Sequence, residues 1–193
     1  NADGTPHAFE LVVSRELTVR SWRKADGSMV GEAEKAETHV ELVEVAAPIS
    51  SSLYATILDA GENEALVAFF VDVFAYDVDF YNDTKEGDVF RVVVEKEMKG
   101  EEFLRYRRIL AAEYSGKVGT FRAFYWQEPG AAKGRYFAAN GQSIEKGFLK
   151  TPLKFARVSS KFNMKRMHPV LHTTRGHFGT DYAAPVGTPV WAA

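Results

Sequence analysis

"ENEALVAFFVDVFAYDV", residues Glu62 to Val78, is the stretch whose pattern decides the fold around it. Its large apolar residues recur at intervals of three and four, which is the spacing of one buried face of an α-helix. The residues of this stripe are Leu66, Phe69, Phe70, Val73 and Phe74. A row of phenylalanines can also line a ligand pocket, but at helical spacing it usually belongs to the core. We therefore predict a helix over Asn63–Ala75 with this stripe buried.

A shorter helix is predicted immediately before it, over Ser51–Ala60. Ser50 or Ser51 can cap its N-terminus, because a serine hydroxyl accepts a hydrogen bond from a backbone N–H that has no partner inside the helix. Gly61 follows the predicted last turn, where glycine is favoured because it tolerates a left-handed backbone. The two predicted helices form one helical region in the first half of the chain.

Both sides of this helical region are rich in β-forming residues. Before it, "HAFELVVS", "ELTVRSW" and "THVELVEV" are typical of strands, with a turn at Asp26-Gly27 and a polar connection over "GEAEKAE". After it, "GDVFRVVVEKEM" and "EEFLRYRRILAAEY" flank Lys99-Gly100, and Asn140-Gly141 indicates a two-residue hairpin turn. The pattern predicts an α+β fold with antiparallel strands.

The balance of charge changes near Lys150–Pro152. Residues 1–145 carry 25 acids and 16 bases, whereas residues 146–193 carry one acid and eight bases. We expect three regions: a β-rich N-terminal segment over 1–46, an accessory α+β domain over 47–151, and the beginning of an antiparallel β domain over 152–193. The basic end is either a solvated surface or a rim that attracts an acidic substrate. It carries no nucleic-acid-binding motif, so we expect no nucleic-acid partner.

Composition excludes two classes of protein. Hydrophobic residues make up 46% and charged residues 26%, which is typical of soluble globular proteins. The longest apolar run, Ala65–Val71, is far shorter than the ~20 residues of a membrane-spanning helix, so we expect no transmembrane segment. The chain has no cysteine, which excludes disulfides and thiolate metal ligands. Any metal must therefore be bound by His, Asp or Glu.

"RGHFGTDYAAPVGTPVWAA", residues Arg175 to Ala193, places His177 and Asp181 four residues apart. The glycines and prolines around them disfavour a helix, and an even spacing puts both residues on one side of an extended segment. An imidazole and a carboxylate are ligands that Zn²⁺ accepts. Most such pairs in proteins only make hydrogen bonds, so the spacing alone leaves both interpretations open. We predict that the two side chains lie close enough to share one cation.

The wider stretch "SSKFNMKRMHPVLHTTRGHFGTDYAAPVGTPVWA", over Ser159–Ala192, closely resembles the start of the catalytic domain of the lysostaphin/LytM-type zinc endopeptidases. That family cuts the peptide cross-links of bacterial peptidoglycan. The resemblance implies that His177 and Asp181 are zinc ligands and that Arg166 and His168 support the substrate cleft. It also implies peptidoglycan stem peptides as partners and a periplasmic or cell-envelope location.

Upstream, Ile49–Thr151 resembles the accessory domain that precedes the peptidase domain in multi-domain Gram-negative members of this family. In some relatives an N-terminal domain plugs the catalytic cleft and supplies a Glu or Asn to the metal. Glu32, Glu34 and Glu37 could act in that way, although acidic residues in so polar a stretch are usually only solvated.

The sequence departs from the family at the remaining catalytic residues. The family's third zinc ligand is the second His of a later His-x-His, and the first His of that pair acts in catalysis with another downstream His. No His-x-His occurs in this chain. His172 lies in a predicted loop, and we expect it to be solvated and not to bind the metal. We expect the missing residues on a further part of the same protein, which either continues this chain, has been cleaved from it or is present as a separate chain. We expect the 193-residue chain alone to be inactive.

Three functions remain in view. The first is a zinc-dependent peptidoglycan endopeptidase, and the second is a non-catalytic LytM-like activator or binding protein of other cell-wall hydrolases. Degenerate LytM domains have lost zinc ligands, whereas this chain retains both ligands that it is long enough to include, which favours the enzyme. The third is docking of the accessory domain on glycan or on a partner protein. Trp126 and Tyr125 could stack on sugars, although aromatic residues in such a strand are usually packed.

Overall fold

The computed structural model describes residues 7–154, 156–167 and 174–192, which form mainly antiparallel strands with two short helices. The elements in chain order are β1 (Ala8–Ser14), β2 (Leu17–Arg23), β3 (Met29–Lys35), β4 (His39–Pro48), α1 (Leu53–Asp59), α2 (Glu64–Val73), β5 (Val89–Lys99), β6 (Glu102–Gly116), β7 (Gly119–Trp126), β8 (Arg135–Phe137), β9 (Arg157–Ser160), β10 (Asn163–Met167), β11 (Thr174–His177) and β12 (Asp181–Ala183). This content agrees with the predicted α+β class.

The chain divides into two compact units. One comprises Asn1–Val43 with Val94–Arg108, and the other comprises Glu44–Val93 with Ile109–Ala193. A five-stranded sheet, ordered β4-β5-β6-β7-β8, draws its strands from consecutive parts of the sequence. Each of β4, β5 and β6 contributes residues to both units.

The first unit contains a three-stranded antiparallel sheet in the order β1-β2-β3. The prediction that "GEAEKAE" is a polar connection is wrong, because most of this segment belongs to β3. This strand pairs with β2 from Leu17 opposite Lys35 to Arg23 opposite Met29. The negative charge of acidic side chains in this sheet is balanced by an arginine on the central strand. Arg20 on β2 donates hydrogen bonds to Glu10 at 2.7 Å and to Glu34 at 2.6 Å.

The two helices begin at polar caps. The side-chain oxygen of Ser52 accepts a hydrogen bond from the backbone N–H of Ala55 at 3.1 Å, so the cap lies one or two residues later than predicted. Ser50 contacts the helix in another way, because its backbone N–H donates to the hydroxyl of Thr56. Asn63 caps α2 by accepting from the N–H of Ala65. Each helix therefore starts within two residues of its predicted first position.

The buried face of α2 is the centre of the core in the second unit. Leu66, Phe70 and Phe74 are almost completely inaccessible, as the apolar stripe predicts. Phe69 is the exception, since it is 36% exposed. Successive helical residues turn by about 100°, which puts Val67 and Val71 on the buried side and rotates Phe69 toward its edge. The buried face is thus shifted by part of a turn from the predicted stripe.

A buried carboxylate joins the helical region to the sheet. Asp88, just before β5, accepts a 2.5 Å hydrogen bond from the hydroxyl of Tyr114 on β6. It also accepts from the backbone N–H groups of Lys85 at 2.8 Å and Lys117 at 3.3 Å. Burial raises the pKa of Tyr114, and the hydrogen bond to Asp88 raises it further. The phenol therefore remains a donor, and the carboxylate is fixed by three donors.

The turn at Asn140-Gly141 has three residues rather than the predicted two. The backbone N–H of Ala138 donates to the carbonyl of Gln142 at 2.8 Å, and the N–H of Gly141 donates to the carbonyl of Ala138 at 2.9 Å. Gly141 has φ = 79°, in the left-handed region. This geometry is a type I turn followed by a left-handed residue, the usual form of a three-residue hairpin loop.

Among the helices that the structure describes, none is both long enough and apolar enough to span a bilayer.

Replacing Gly116 by alanine tests the buried carboxylate. A Cβ there would lie 2.4 Å from the carboxyl carbon of Asp88, which cannot move without losing its donors. We expect Gly116→Ala to lower the free energy of unfolding by about 1–3 kcal/mol. Gly147→Ala is the matched control, because a Cβ at Gly147 meets no atom within 4 Å. Urea denaturation of both variants measures the difference, and equal midpoints would contradict this account.

Candidate metal centre

Two short antiparallel strand pairs carry the predicted ligands. β9 pairs with β12 so that Asp181 lies opposite Ser160, and β10 pairs with β11 so that His177 lies opposite Asn163. His177 is the last residue of β11 and Asp181 the first of β12. The two residues therefore flank the three-residue connection over 178–180, and the prediction that they lie on a single extended segment is wrong.

The structure brings the side chains of His177 and Asp181 into direct contact. His177 Nε2 lies 3.1 Å from Asp181 Oδ1. The histidine side chain is 16% exposed and that of the aspartate 55%. The ring is thus mostly enclosed, while the contact is open to solvent on the side of the carboxylate.

The second ring nitrogen of His177 defines how the ring is oriented. Nδ1 lies 2.9 Å from the backbone carbonyl oxygen of Lys161 and 3.3 Å from the hydroxyl of Ser160. A carbonyl oxygen can only accept, so Nδ1 carries the hydrogen and donates it to Lys161. In the neutral ring Nε2 then has a lone pair directed at the carboxylate of Asp181. Two such acceptors repel each other unless a proton or a cation lies between them.

A zinc ion fits this pair of donors. Ligand atoms that each lie about 2.0–2.2 Å from a tetrahedral zinc are about 3.3–3.5 Å from one another. The 3.1 Å contact between His177 and Asp181 is close to that separation. A metal-bound histidine typically donates its other N–H to a backbone carbonyl or a carboxylate, as His177 does to Lys161. The residues present therefore suit two of the ligands of a zinc site.

Sequence reasoning missed the residues that hold the ring in place. The Lys161 contact comes from the main chain, which leaves no signal in the side-chain pattern. Sequence reasoning also missed a close approach on either side of His177, because a Cβ at Gly176 would lie 2.4 Å from the ring of Phe178. That ring also makes an edge contact with Phe162, with centroids 6.2 Å apart. In the sequence, only the glycine two residues before Phe178 indicates this close approach.

The other residues that the sequence assigned to the site lie mostly outside the part of the chain that can be compared with this pair. Arg166 lies in β10 with its backbone opposite Arg175, whereas His168 and His172 fall outside the described residues. Over residues 7–154, 156–167 and 174–192, no group of three His, Asp or Glu side chains could hold a metal ion. The acids considered for a plug, namely Glu32, Glu34 and Glu37, are all exposed.

The segment that leads into the metal centre is held by α2. Lys154 forms an ion pair with Asp72, and its Nζ lies 5.2 Å from the centroid of the Trp191 ring. The backbone N–H of Trp191 donates to the carbonyl of Pro152 at 2.9 Å. In the same region Lys146 pairs with Asp77. Two of the eight bases of the basic end therefore neutralise acids of the same chain.

The loop after α2 also contacts the strands of the candidate metal centre. Tyr182 follows Asp181 in β12, and burial raises the pKa of its hydroxyl, with a further contribution from the carboxylate of Asp79. The side-chain amide of Asn82 donates to the carbonyl of Ala156 at 3.5 Å. These contacts tie the strands that carry Asp181 and Ser160 to residues 79–82.

The class of protein follows from comparison with known families. A family profile described as the Csd3 second domain matches residues 37–164, which is more than half of the chain. The chain therefore belongs to the Csd3 second-domain family.

Several relatives of this chain are named peptidoglycan DD-endopeptidases. The peptidoglycan DD-endopeptidase ShyC of Vibrio cholerae is 35% identical over 170 residues, which is 88% of this chain and 38% of ShyC. ShyA of the same organism, also named a peptidoglycan DD-endopeptidase, is 29% identical over 193 residues, which is 100% of this chain and 44% of ShyA. The chain thus spans less than half the length of these relatives.

Solved structures agree with the fold. A crystal structure of a zinc-containing peptidase from Vibrio cholerae matches 100% of this chain and 58% of its own, with a TM-score of 0.55 and 26% identity. Helicobacter pylori Csd3 matches 100% of this chain and 52% of its own, with a TM-score of 0.57. At 22% identity the likeness to Csd3 concerns the fold alone.

Reversing the charge of Asp72 tests the contact between α2 and the following segment. In Asp72→Lys the two lysines repel each other, and we expect faster trypsin cleavage after Lys150, a site that both variants retain. An exposed ion pair is worth only about 0–1 kcal/mol, so the midpoint of global unfolding should hardly change. The double variant Asp72→Lys, Lys154→Asp restores the attraction and should restore resistance. Limited proteolysis with mass spectrometry measures this, and cleavage that the double variant does not suppress would refute the contact.

Proposed function

We propose that this chain is part of a zinc-dependent endopeptidase that cleaves the peptide cross-links of bacterial peptidoglycan in the periplasm or cell envelope. His177 and Asp181 are two of its zinc ligands. The observation that carries the proposal is the 3.1 Å contact between their side chains, with the second ring nitrogen of His177 held by the Lys161 carbonyl. The lysostaphin/LytM-like motif around this pair supports the same assignment.

The relatives support the reaction class. ShyC and ShyA are named peptidoglycan DD-endopeptidases, and a related metalloprotease of Haemophilus influenzae is 37% identical over 109 residues. The 26% identical Vibrio structure is described as a zinc-containing peptidase. We propose that this chain shares their metal dependence and their action on peptidoglycan, with the stem peptides as substrate.

Each residue of the pair has a defined task in such a site. When bound, zinc would polarise a carbonyl and lower the pKa of a bound water. The Lys161 carbonyl holds the hydrogen of His177 on Nδ1, so that in the neutral ring Nε2 is available as a ligand. Asp181 supplies negative charge on the solvent-facing side, and the enclosed ring of His177 limits access of water from the other side. Arg166 and His168 are assigned to the support of the cleft.

The remaining machinery is assigned to residues outside this sequence. Because no third ligand is present among the described residues, we propose that the later His-x-His of the family completes the site in the longer protein. The whole protein would then be the active species. The competing assignment, a non-catalytic activator of other hydrolases, requires that those later histidines be absent.

Zinc titration of this chain tests the ligand pair. We expect His177→Ala and Asp181→Ala each to weaken Zn²⁺ binding by about tenfold or more, since even outer partners of a metal site contribute 10–100-fold. His39 and Glu41 provide a matched control, because their side chains also lie 3.1 Å apart, while the histidine side chain is 52% exposed. Competition with a chromophoric chelator measures the affinity. If His39→Ala has the larger effect, the assignment is wrong.

Cleavage assays test the function itself. The protein extended to the full length of its relatives should cleave cross-linked peptides in purified peptidoglycan, and a chelator or His177→Ala should abolish that activity. The 193-residue chain should cleave nothing. Mass spectrometry of the released muropeptides measures the products. Zinc-bound full-length protein that cleaves no cross-link but activates another hydrolase would instead establish the activator.

A further inference from the structure

The solvent-facing side of β7 and β8 carries an aromatic platform, which we define as Phe124, Trp126 and Phe137. Phe124 lies directly opposite Phe137 in the strand pairing. Because side chains alternate along a strand, Ala123 points to the other side, where it is completely buried. Phe124 is 43% exposed and Trp126 55% exposed. The expectation that Trp126 is packed in its strand is therefore wrong.

The rings of the platform contact each other and border a depression in the sheet. The rings of Trp126 and Phe137 meet in a T-shaped contact, with centroids 6.0 Å apart, and Trp126 remains 55% exposed. Ala111 on β6 lies opposite Phe124, and its small side chain leaves space beside the ring. The depression there has a volume of about 240 Å³ and is lined by Phe124, Ala111 and charged side chains. The platform is thus uneven, with a hollow next to its aromatic residues.

Two groups of charged side chains beside the platform are paired, while Glu44 also lines the depression and adds a further negative charge. Glu113 accepts from Arg91 at 2.6 Å and from Arg122 at 2.5 Å, and these hydrogen bonds help to lower its pKa. Arg135, opposite Trp126, pairs with Glu145 at 2.6 Å. A guanidinium has five N–H donors, more than one carboxylate oxygen uses. Hydrogen-bond donors therefore border the rings while little net charge is left.

We propose that this platform binds the saccharide strand of peptidoglycan. The rings stack on the apolar faces of the sugars, and the guanidinium groups of Arg91 and Arg122 donate hydrogen bonds to sugar hydroxyl and acetamido oxygens. The choice of polymer rests on the proposed function. The accessory domain would then hold the enzyme on the glycan, while the metal centre acts on the attached peptides.

The charge and the area of the platform favour a saccharide over other partners. An uncharged, polar ligand matches a face whose charges are already paired, whereas an acidic peptide or an anionic membrane would require unpaired bases. The exposed parts of Phe124 and Trp126 amount to on the order of 200 Å², given that an aromatic side chain offers about 150–250 Å². A stable protein interface buries about 800 Å² on each partner. Two half-exposed rings suit a narrow polymer better.

Co-sedimentation of the 193-residue chain with purified peptidoglycan sacculi tests the proposal, in the presence of a chelator so that no metal-dependent step contributes. We expect Trp126→Ala to weaken binding by about tenfold, as expected for loss of a central aromatic contact. Trp126→Tyr keeps a ring and should retain most of the binding. Trp22→Ala is the matched control, because Trp22 is also exposed but belongs to β2.

Competition with soluble ligands identifies the part of the polymer that is bound. A soluble oligomer of N-acetylglucosamine should displace the wild-type chain from sacculi, and free stem peptide should not. Displacement by the peptide alone, or equal binding by wild type and a folded Trp126→Ala variant, would overturn the proposal. If circular dichroism finds that Trp126→Ala does not fold, Phe124→Ala and the competition on the wild type decide the question. Failure here leaves the zinc titration and the cleavage assay unaffected.

Discussion

The packing of Phe70 against three other aromatic rings is the contact on which the rest of the second unit depends. Its centroid lies 5.2 Å from that of Phe74 and 5.7 Å from those of Phe80 and Phe90. These partners come from the end of α2, from the loop that follows and from β5, so one side chain fixes three elements. The same loop supplies Asp79 and Asn82 to the strands of the metal centre. A change in the core would therefore reach the site through this loop.

The features of the fold that the sequence predicted are those encoded within one element. Helical periodicity identified α2, and turn residues identified the hairpins, because both signals depend on neighbours in sequence. β3 escaped prediction because its side chains are mostly polar, and its stabilisation comes from partners on β2. The contact of Arg20 with Glu34 joins residues that are 14 positions apart, which no local pattern reveals. The exposure of Phe69 likewise depends on where the sheet lies relative to the helix.

The features of the candidate sites also fall into those that the sequence predicts and those that only the structure reveals. The pair His177 and Asp181 could be predicted from spacing and from a family motif, and the structure places their side chains in contact. The exposure of Trp126 could not be predicted, because strand composition does not tell which face of a sheet is covered. Arg91, Glu113 and Arg122 come from three different strands, so their cluster exists only once the strands are paired.

The acceptor that orients His177 belongs to the main chain of Lys161, and this has a consequence for how such a site can change over time. Every residue type offers the same carbonyl oxygen, so the amino acid at this position can be exchanged without loss of the contact. The link between β9 and β10 is only two residues long, and one inserted or deleted residue would carry the oxygen away from the ring. The orientation of the His177 ring thus depends on the length of this loop and not on the identity of its residues. Natural variation at this point should preserve the count of residues more strictly than their identity.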